Sequence, residues 1–265
     1  MSTLAFSPNQ FGGVVTDPHN LPNDVHEFKE MLRESVDAWI AEGYRLVWLE
    51  LPLSRSAFVP VAADMGFEYH HAKEDYVMMT LRLTFGAYIP PYATHYIGAG
   101  AVVINERDEI LVVSERYRMG TSRGPGYKLP GGALHPGEHI AHAAVREVLE
   151  ETGVHARFET LACFRHWHGY RYGKSDIYFV CKLSALSTEI TKQEEEIAEC
   201  LWMAVDRFLS DETIHGFNKS IVRAALESPG VSPASMSGYD DAERFEFFMP
   251  ALEEQDSPSS WIFRT

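Results

Sequence analysis

The chain is poor in cysteine, in basic charge and in long apolar runs, and each shortage excludes a class of protein. Three cysteines are too few for a disulfide scaffold, so we expect reduced, buried thiols. A net charge of -15 argues against binding to nucleic acid or to an anionic membrane. The sequence shows neither a membrane-spanning stretch nor the basic and apolar regions of a signal peptide. We therefore expect a cytoplasmic protein, and the nucleus is not excluded.

The chain is rich enough in apolar residues to bury two cores. Its 265 residues are 45% hydrophobic and 23% charged, which predicts two domains and a substantial interior. A mixed α/β domain is predicted over residues 1–91, ending at Pro90 and Pro91. A second domain is predicted over residues 92–227. Residues 228–265 begin with a run of Ser, Pro and Gly and continue with acidic and aromatic residues, which predicts a linker and a docking segment.

Periodicity predicts the main elements of both domains. Residues 24–43 have helical spacing and precede a strand at 44–51, and a second helix is predicted over 56–66 despite Pro60. Residues 96–105 and 109–114 are predicted to form a strand pair. Further strands are predicted at residues 158–166, 175–183 and 201–204, and a helix is predicted to begin over 206–209. The alternation is typical of a sheet flanked by helices.

One segment, residues 132–154, carries the strongest functional signal. It reads GALHPGEHIAHAAVREVLEETGV and fits the pattern G-x5-E-x7-R-E-U-x-E-E-x-G-U, in which U is a bulky aliphatic residue. The fixed positions are Gly132, Glu138, Arg146, Glu147, Glu150, Glu151 and Gly153, with Val148 and Val154 at the aliphatic positions. Turn residues followed by an apolar stripe predict a tight loop and a helix that begins near Glu138 and ends at Gly153.

The acidic residues of this helix predict a metal site. Glu147, Glu150 and Glu151 fall within a wedge of roughly 100° on one helix face. Like charges repel one another, and more strongly where a cleft excludes water, so a cation should neutralise them. Carboxylate oxygens favour Mg²⁺ or Mn²⁺ over zinc and leave room for substrate phosphates. The alternative is a surface helix with solvated acids, but this would not require the glycines, the arginine and the aliphatic residues at set offsets.

Two further residues of the segment are predicted to support the acids. Arg146 lies four residues before Glu150, so the two should pair and Arg146 should orient the acidic side chains. Glu138 is expected in the first helical turn, where a negative charge suits the helix dipole. Its role is structural, metal-linked or both.

The segment resembles the Nudix box, and the likeness continues outside it. Similar stretches lie at residues 47–52, 66–72, 93–95, 164–166, 173–176 and 202–203. Together they resemble a Nudix subgroup with an added N-terminal domain, known from plant ADP-ribose/NADH diphosphatases and their animal relatives, over about residues 21–208. The resemblance implies a Nudix α/β/α sandwich, an N-terminal GNAT-like mixed α/β domain and a homodimer. Because residues 1–90 lack a glycine-rich loop for coenzyme A, we expect no acetyl transfer.

The resemblance also implies a reaction, namely metal-dependent hydrolysis of ADP-ribose or NADH to AMP and the phosphorylated remainder. Glu147 and Glu151 would hold Mg²⁺ or Mn²⁺, and Glu150 would complete the metal shell or polarise the attacking water. The backbone at Gly131 would approach the metal or a phosphate. Glu196 best matches the subgroup's Gln-x-x-Glu-Ile stretch and is the candidate general base, although Glu194, Glu195 and Glu196 also fit a solvated charge run.

Several residues outside the box are candidates for substrate binding. The cationic candidates for phosphate are Lys128, His166, His168 and Lys174, and the aromatic candidates for a base or nicotinamide are Tyr127, Trp167 and Tyr170. Each also has a structural interpretation, and His166 fits a hydrogen-bonded core histidine equally well. His70 and His71 suggest metal ligands, but adjacent strand residues point to opposite faces, so we expect one of them to be buried.

Other functions stay open at this point. A nucleoside-triphosphate hydrolase would release pyrophosphate, while coenzyme A and diphosphoinositol phosphate are further substrates, the latter favouring a more basic pocket. A nucleotide-sensing module is an alternative from another class. Two neighbouring Nudix groups fit poorly, because the sequence lacks an S-Q-P-W-P-F-P-x-S stretch and has no proline between Pro136 and Pro229. The expected partner is a small-molecule nucleotide, without nucleic acid or membrane.

Overall fold

A computed structural model describes residues 3–117 and 126–250, and its contacts separate two units, Met1–Thr94 and His95–Thr265. The strands of the first unit are β1 (Phe6–Pro8), β2 (Val14–Thr16), β3 (Leu46–Pro52), β4 (Glu68–Ala72) and β5 (Tyr76–Arg82). They form a sheet in the order β1-β2-β3-β5-β4. Its helices are α1 (Val25–Ala41) and α2 (Val59–Asp64), with 3-10 turns at Pro18–Asn20 and Leu53–Phe58.

Helix α1 begins where the sequence predicts. The Asp24 carboxylate accepts the backbone N–H groups of His26 and Glu27 at 2.8 and 3.0 Å, which satisfies donors that a helix start leaves free. The predicted helix over 56–66 is shorter and irregular. A 3-10 turn precedes α2, and Pro60 lies in the first turn of α2, where its missing N–H costs no hydrogen bond.

The histidine pair of β4 differs from the prediction. The pairing of β4 with β5 shifts register between Tyr69 and His71, so the regular alternation of side chains is interrupted there. Both rings are therefore half-buried, and their Nδ1 atoms lie 2.7 Å apart. His70 donates to the Pro90 carbonyl at 2.8 Å, and His71 Nε2 lies 3.0 Å from the Tyr76 hydroxyl. The expectation of opposite faces was wrong, because a bulge breaks the strand period.

The second unit carries a longer sheet with helices. Its strands are β6 (His95–Ile104), β7 (Glu109–Glu115), β8 (Gly131–Ala133), β9 (Ala156–Trp167), β10 (Ser175–Ala185), β11 (Ile197–Ala204), β12 (Ser232–Ala234) and β13 (Phe247–Met249). Its helices are α3 (Ile140–Thr152), α4 (Val205–Ser210) and α5 (Gly216–Glu227), with a 3-10 turn at Arg171–Gly173. The main sheet has the order β11-β7-β6-β10-β9, and β8 pairs with β6.

Alternation along β6 divides the core of this unit in two. Ala99, Ala101 and Val103 pack in one buried cluster with α3, while Val102 belongs to a second cluster with α5 residues such as Val222. The predicted strand pair is confirmed, and its strands meet at Ile104 and Ile110. The mixed α/β class is confirmed, while the GNAT likeness of the first unit and the homodimer stay predictions.

The segment after α5 is more ordered than a linker. Strands β12 and β13 pair with each other, and Val231 forms a β-bridge with Leu161 of β9. Phe248 packs against the core cluster that contains α3. The Ser/Pro-rich run is therefore part of the second unit, because it contributes backbone pairing. Trp261 and Phe263 of the predicted docking segment lie outside the described residues. Within 3–117 and 126–250, no helix has the length and hydropathy of a membrane span.

Candidate active site

The short strand β8 brings two glycines to the middle of β6. Gly131 and Gly132 pair with Gly100 and Ala99. Gly131 has a φ of 147°, and a Cβ there would stand 2.4 Å from the Cα of Gly100. A Cβ at Gly132 would stand 2.6 Å from Oε1 of Glu147. Glycine is required at position 131, where a side chain would strike the backbone of β6, while a side chain at position 132 would push the Glu147 carboxylate aside.

Helix α3 presents Glu147 and Glu151 to these glycines. The two residues are one turn apart, so they share a face. The backbone N–H of Gly131 donates to Glu151 Oε2 at 3.1 Å. The helix begins at Ile140, slightly later than predicted, and ends at Gly153 with a φ of 73°, as the glycine predicts. The carboxylates and the glycine strand thus form one site.

Burial makes both carboxylates hard to ionise. Glu151 is 8% exposed, and burial raises its pKa to about 7 against the opposing effects of Lys128 and the Gly131 N–H. Burial also raises the pKa of Glu147, although Arg146 donates to it at 2.9 Å. Two carboxylates with raised pKa values, side by side, are an arrangement that a cation stabilises.

Arg146 uses all five of its N–H donors. It donates to both oxygens of Glu138 at 2.7 and 2.9 Å, and to the Ala133 carbonyl at 3.2 Å. Its Nη1 donates to Glu147 at 2.9 Å and to Glu150 at 2.8 Å. The predicted pairing of Arg146 with Glu150 is confirmed. Arg146 therefore ties the helix to the loop before it and orients the acids.

Glu138 and Glu150 lie at the edge of this network. Glu138 precedes the helix, and its carboxylate also accepts the His135 N–H at 2.9 Å. These hydrogen bonds, above all those from Arg146, lower the pKa of Glu138 to about 2. The Glu150 side chain is 57% exposed and paired with Arg146. Of the three acids predicted to converge, Glu147 and Glu151 therefore lie at the site, and Glu150 lies at its exposed rim.

Lys128 and the loop of Glu196 approach the same end of α3. Lys128 forms an ion pair with Glu115, a residue that the sequence analysis did not single out. The Gln193 N–H donates to the Glu151 carbonyl at 3.0 Å, and Glu196 accepts the Arg116 N–H through its carbonyl at 2.7 Å. The side chain of Glu196 is exposed. The loop is thus anchored beside Glu151, which strand and helix spacing alone do not reveal.

The predicted substrate residues separate into two groups. Trp167, Tyr170 and Tyr96 form an aromatic cluster, with ring centroids 5.2 Å apart for Trp167 and Tyr170 and 5.9 Å for Tyr96 and Tyr170. Lys174 Nζ lies 5.2 Å from the centroid of Tyr96. Arg165, which the sequence analysis missed, lies 5.3 Å from the centroid of Trp167. This cluster combines open aromatic surface with two cations, of which Arg165 is ion-paired with the buried Asp176.

Two histidines of the prediction lie beside each other next to this cluster. His166 Nε2 is 2.9 Å from Nε2 of His95, so one nitrogen donates and the other accepts. His168 contacts the Ser175 hydroxyl at 2.8 Å, and its ring centroid lies 4.3 Å from that of His166. Both predicted histidines are exposed, so neither is a core residue. His95 at the start of β6 was not predicted.

Tyr127 does not fit its predicted stacking role, and a tyrosine that was not predicted, Tyr178, lies at the site instead. Tyr127 is only 9% exposed and donates to Glu199 at 2.6 Å, so its ring offers no open face for stacking. Tyr178 of β10 lies over the glycines of β6, and its hydroxyl would be 2.5 Å from a Cβ at Gly131. Burial and the nearby Glu151 raise the pKa of Tyr178, which keeps its hydroxyl protonated. Only strand pairing brings this hydroxyl to the site.

Comparison with known proteins decides the family. The Nudix hydrolase domain model matches residues 4–83, and the NUDIX domain model matches residues 94–225. Nudix hydrolase 8 of Arabidopsis thaliana is 36% identical over 267 residues, which cover 97% of this chain and 72% of that protein. The chain belongs to the Nudix hydrolase family. Its site is therefore that of an enzyme acting on nucleoside diphosphate derivatives.

Other similar proteins are Nudix proteins as well. The human protein named nucleoside diphosphate-linked moiety X motif 6 is 36% identical over 207 residues, which cover 77% of this chain and 64% of that protein. A NUDIX hydrolase structure from Nitrosomonas europaea has 27% identity and a TM-score of 0.43, covering 50% of this chain and 88% of that one.

Nudix hydrolases generally use divalent metal ions, and the residues present fit one. Glu147 and Glu151 offer buried carboxylate oxygens, and the glycines of β8 leave room beside them. Such hard oxygen donors suit Mg²⁺ or Mn²⁺. Among residues 3–117 and 126–250, no three His, Cys, Asp or Glu side chains already stand in metal-binding geometry. Arg146 Nη1 donates to the carboxylates of both Glu147 and Glu150, so without a metal ion these two acids are paired with the arginine.

Proposed function

We propose that this Nudix hydrolase cleaves the diphosphate bond of ADP-ribose or NADH, releasing AMP and the phosphorylated remainder. The observation that carries the proposal is the pair of buried carboxylates, Glu147 and Glu151, set against the side-chain-free strand at Gly131 and Gly132. Glu147 and Glu151 would hold Mg²⁺ or Mn²⁺, which when bound supplies charge neutralisation for the diphosphate oxygens. The glycines admit a phosphate group close to the backbone.

The aromatic cluster supports a substrate with a planar ring at one end. Tyr96, Gly98 and Gly100 follow one another at every second position of β6, so they share a face of the sheet. Tyr96 lies four residues from Gly100, a distance of about 13 Å along a strand. This separation is comparable with the length of an extended nucleoside. A base or nicotinamide stacked beside Tyr96 would therefore leave the diphosphate near Gly100, the strand partner of Gly131.

Charged residues near the site have separate roles in the proposed reaction. Lys174 lies over the Tyr96 ring, where it would counter negative charge on the substrate, whereas Arg165 lies over Trp167 and is paired with Asp176. Arg146 holds the acids in place and has no donor left for substrate. We propose Glu196 as the general base, because its loop is hydrogen-bonded to the Glu151 backbone and its side chain is exposed.

A substrate panel with product identification tests the proposal. ADP-ribose, NADH, a nucleoside triphosphate and coenzyme A are incubated with the protein and Mg²⁺, and the products are separated by chromatography. We expect AMP and ribose 5-phosphate from ADP-ribose. Preferential release of pyrophosphate from the triphosphate, or binding without turnover of any compound, would contradict the proposal.

Substitution of the aromatic cluster tests the ring-binding step separately. Base stacking on an aromatic side chain contributes about 1–3 kcal/mol, so Trp167→Ala should raise KM for ADP-ribose roughly tenfold and change kcat little. Phe164→Ala is the matched control, since Phe164 lies on the same strand and is 65% exposed. An equal effect of both substitutions would show that Trp167 has no special role.

A further inference from the structure

The catalytic helix α3 is capped by a residue from the far end of the chain. Its own N-cap residue, His139, makes no side-chain cap hydrogen bond. Instead, Glu246 accepts the backbone N–H of Ile140 at 2.8 Å and that of Ala141 at 3.1 Å. These N–H groups belong to the helix start, which has no partners within the helix. A carboxylate there also suits the helix dipole.

Glu246 belongs to a segment that packs specifically on the second unit. We call residues 230–249 the C-terminal clasp. It begins at Gly230, where a φ of 66° and close contacts require glycine, since a Cβ would stand 2.7 Å from the Leu161 carbonyl. It continues with the Val231 bridge to Leu161, and Phe248 contacts Phe158 with ring centroids 5.6 Å apart. The clasp lies beyond the matched NUDIX domain, which ends at residue 225.

A second contact joins the clasp to the start of α3. The His139 ring nitrogen Nε2 donates to the Ala242 carbonyl at 2.8 Å. The Glu246 side chain is only 16% exposed, so water competes weakly for its hydrogen bonds. Two acceptors of the clasp therefore hold the helix start: the Glu246 carboxylate binds its backbone N–H groups, and the Ala242 carbonyl binds the His139 ring.

We propose that the C-terminal clasp positions the catalytic helix and that Glu246 is a positioning residue for Glu147 and Glu151. The far end of α3 is already fixed, because Thr191 and Gln193 donate to the carbonyls of Thr152 and Glu151. Glu246 fixes the opposite end. A helix held at both ends keeps its carboxylates in register with β8, whereas a helix frayed at its start loses the precise placement that metal ligands require.

The affinity for Mn²⁺, measured by titrating metal-free protein, tests this proposal without any substrate. Glu246→Ala is compared with wild type by calorimetric titration with Mn²⁺ and by amide hydrogen exchange of residues 140–152. We expect roughly tenfold weaker Mn²⁺ binding and faster exchange at the start of α3. Glu246→Gln keeps one acceptor oxygen and should fall between the two. Glu243→Ala, an exposed acid of the same clasp, is the control and should match wild type.

The Mg²⁺ dependence of hydrolysis is a second measurement, and it would not change if the clasp only stabilised the fold. At a temperature where every variant is folded, Glu246→Ala should raise the Mg²⁺ concentration for half-maximal hydrolysis about tenfold and leave the substrate KM nearly unchanged. If Glu246→Ala does not fold, Gly230→Ala loosens the clasp from its other end and should give the same pattern. Unchanged Mn²⁺ affinity and unchanged α3 exchange, with only a lower unfolding midpoint, would overturn the proposal. The Mn²⁺ result does not depend on the substrate, so it separates this proposal from the proposed function.

Discussion

Glu151→Gln should stabilise the metal-free protein, and the gain should grow with pH. Burial raises the pKa of Glu151 from the ordinary 4.5 to about 7, so the folded protein holds a proton that the unfolded chain releases. The folded protein therefore loses stability as pH rises from 4.5 and stops losing it above about 7. Glutamine has similar shape and accepts the Gly131 N–H, but it cannot ionise. The variant escapes this loss.

The size of the gain follows from the two pKa values. Each pH unit between 4.5 and about 7 is worth about 1.4 kcal/mol. The free energy of unfolding of Glu151→Gln should therefore exceed that of wild type by about 1 kcal/mol at pH 5 and by about 3 kcal/mol at pH 8. Urea denaturation in the presence of a chelator measures both values. The exposed Glu195→Gln serves as control and should show a small difference at both pH values.

Mg²⁺ should largely cancel this advantage. A ligand that binds only the folded protein adds about 2.7 kcal/mol to the free energy of unfolding when its free concentration is a hundred times its dissociation constant. Wild type should gain this stabilisation at pH 8, and Glu151→Gln should gain little because it lacks the charged ligand. A stability difference that is independent of pH would refute the burial argument. A difference that Mg²⁺ leaves unchanged would refute the role of Glu151 as a ligand.

Three further predictions concern the network around this site. Glu147→Gln should lower kcat at least about a hundredfold, while the rim residue Glu150 should tolerate the same change with a less than tenfold loss, as steady-state kinetics will show. Hydrogen bonds from Arg146 lower the pKa of Glu138 to about 2, so Glu138→Gln should have a lower free energy of unfolding than wild type at pH 7. In urea denaturation this difference should shrink as pH falls from 4.5 towards 2. A difference that stays constant over this range would contradict the prediction. Gly100→Ala should destabilise by about 1–3 kcal/mol, since its Cβ would stand 2.1 Å from the Tyr178 hydroxyl, and adding Tyr178→Phe should recover part of the loss in the same melts.

Local spacing determined much of this protein. Helical spacing of residues close in sequence predicts the helix of the Nudix box, its end at Gly153 and the pairing of Arg146 with Glu150. The same holds for α1 with its Asp24 cap. These features could be predicted because helical contacts join residues three and four apart, so the sequence contains all the information they need.

Tertiary structure decided which of these side chains are buried and what they meet. Glu150 and Glu151 are neighbours in sequence, yet Glu150 is exposed and Glu151 is buried against Gly131. Tyr178 and Glu246 reach the site and the helix start through strand pairing and a clasp that begins far along the chain. Burial and such long-range contacts depend on the register of remote elements, and a local period does not determine that register.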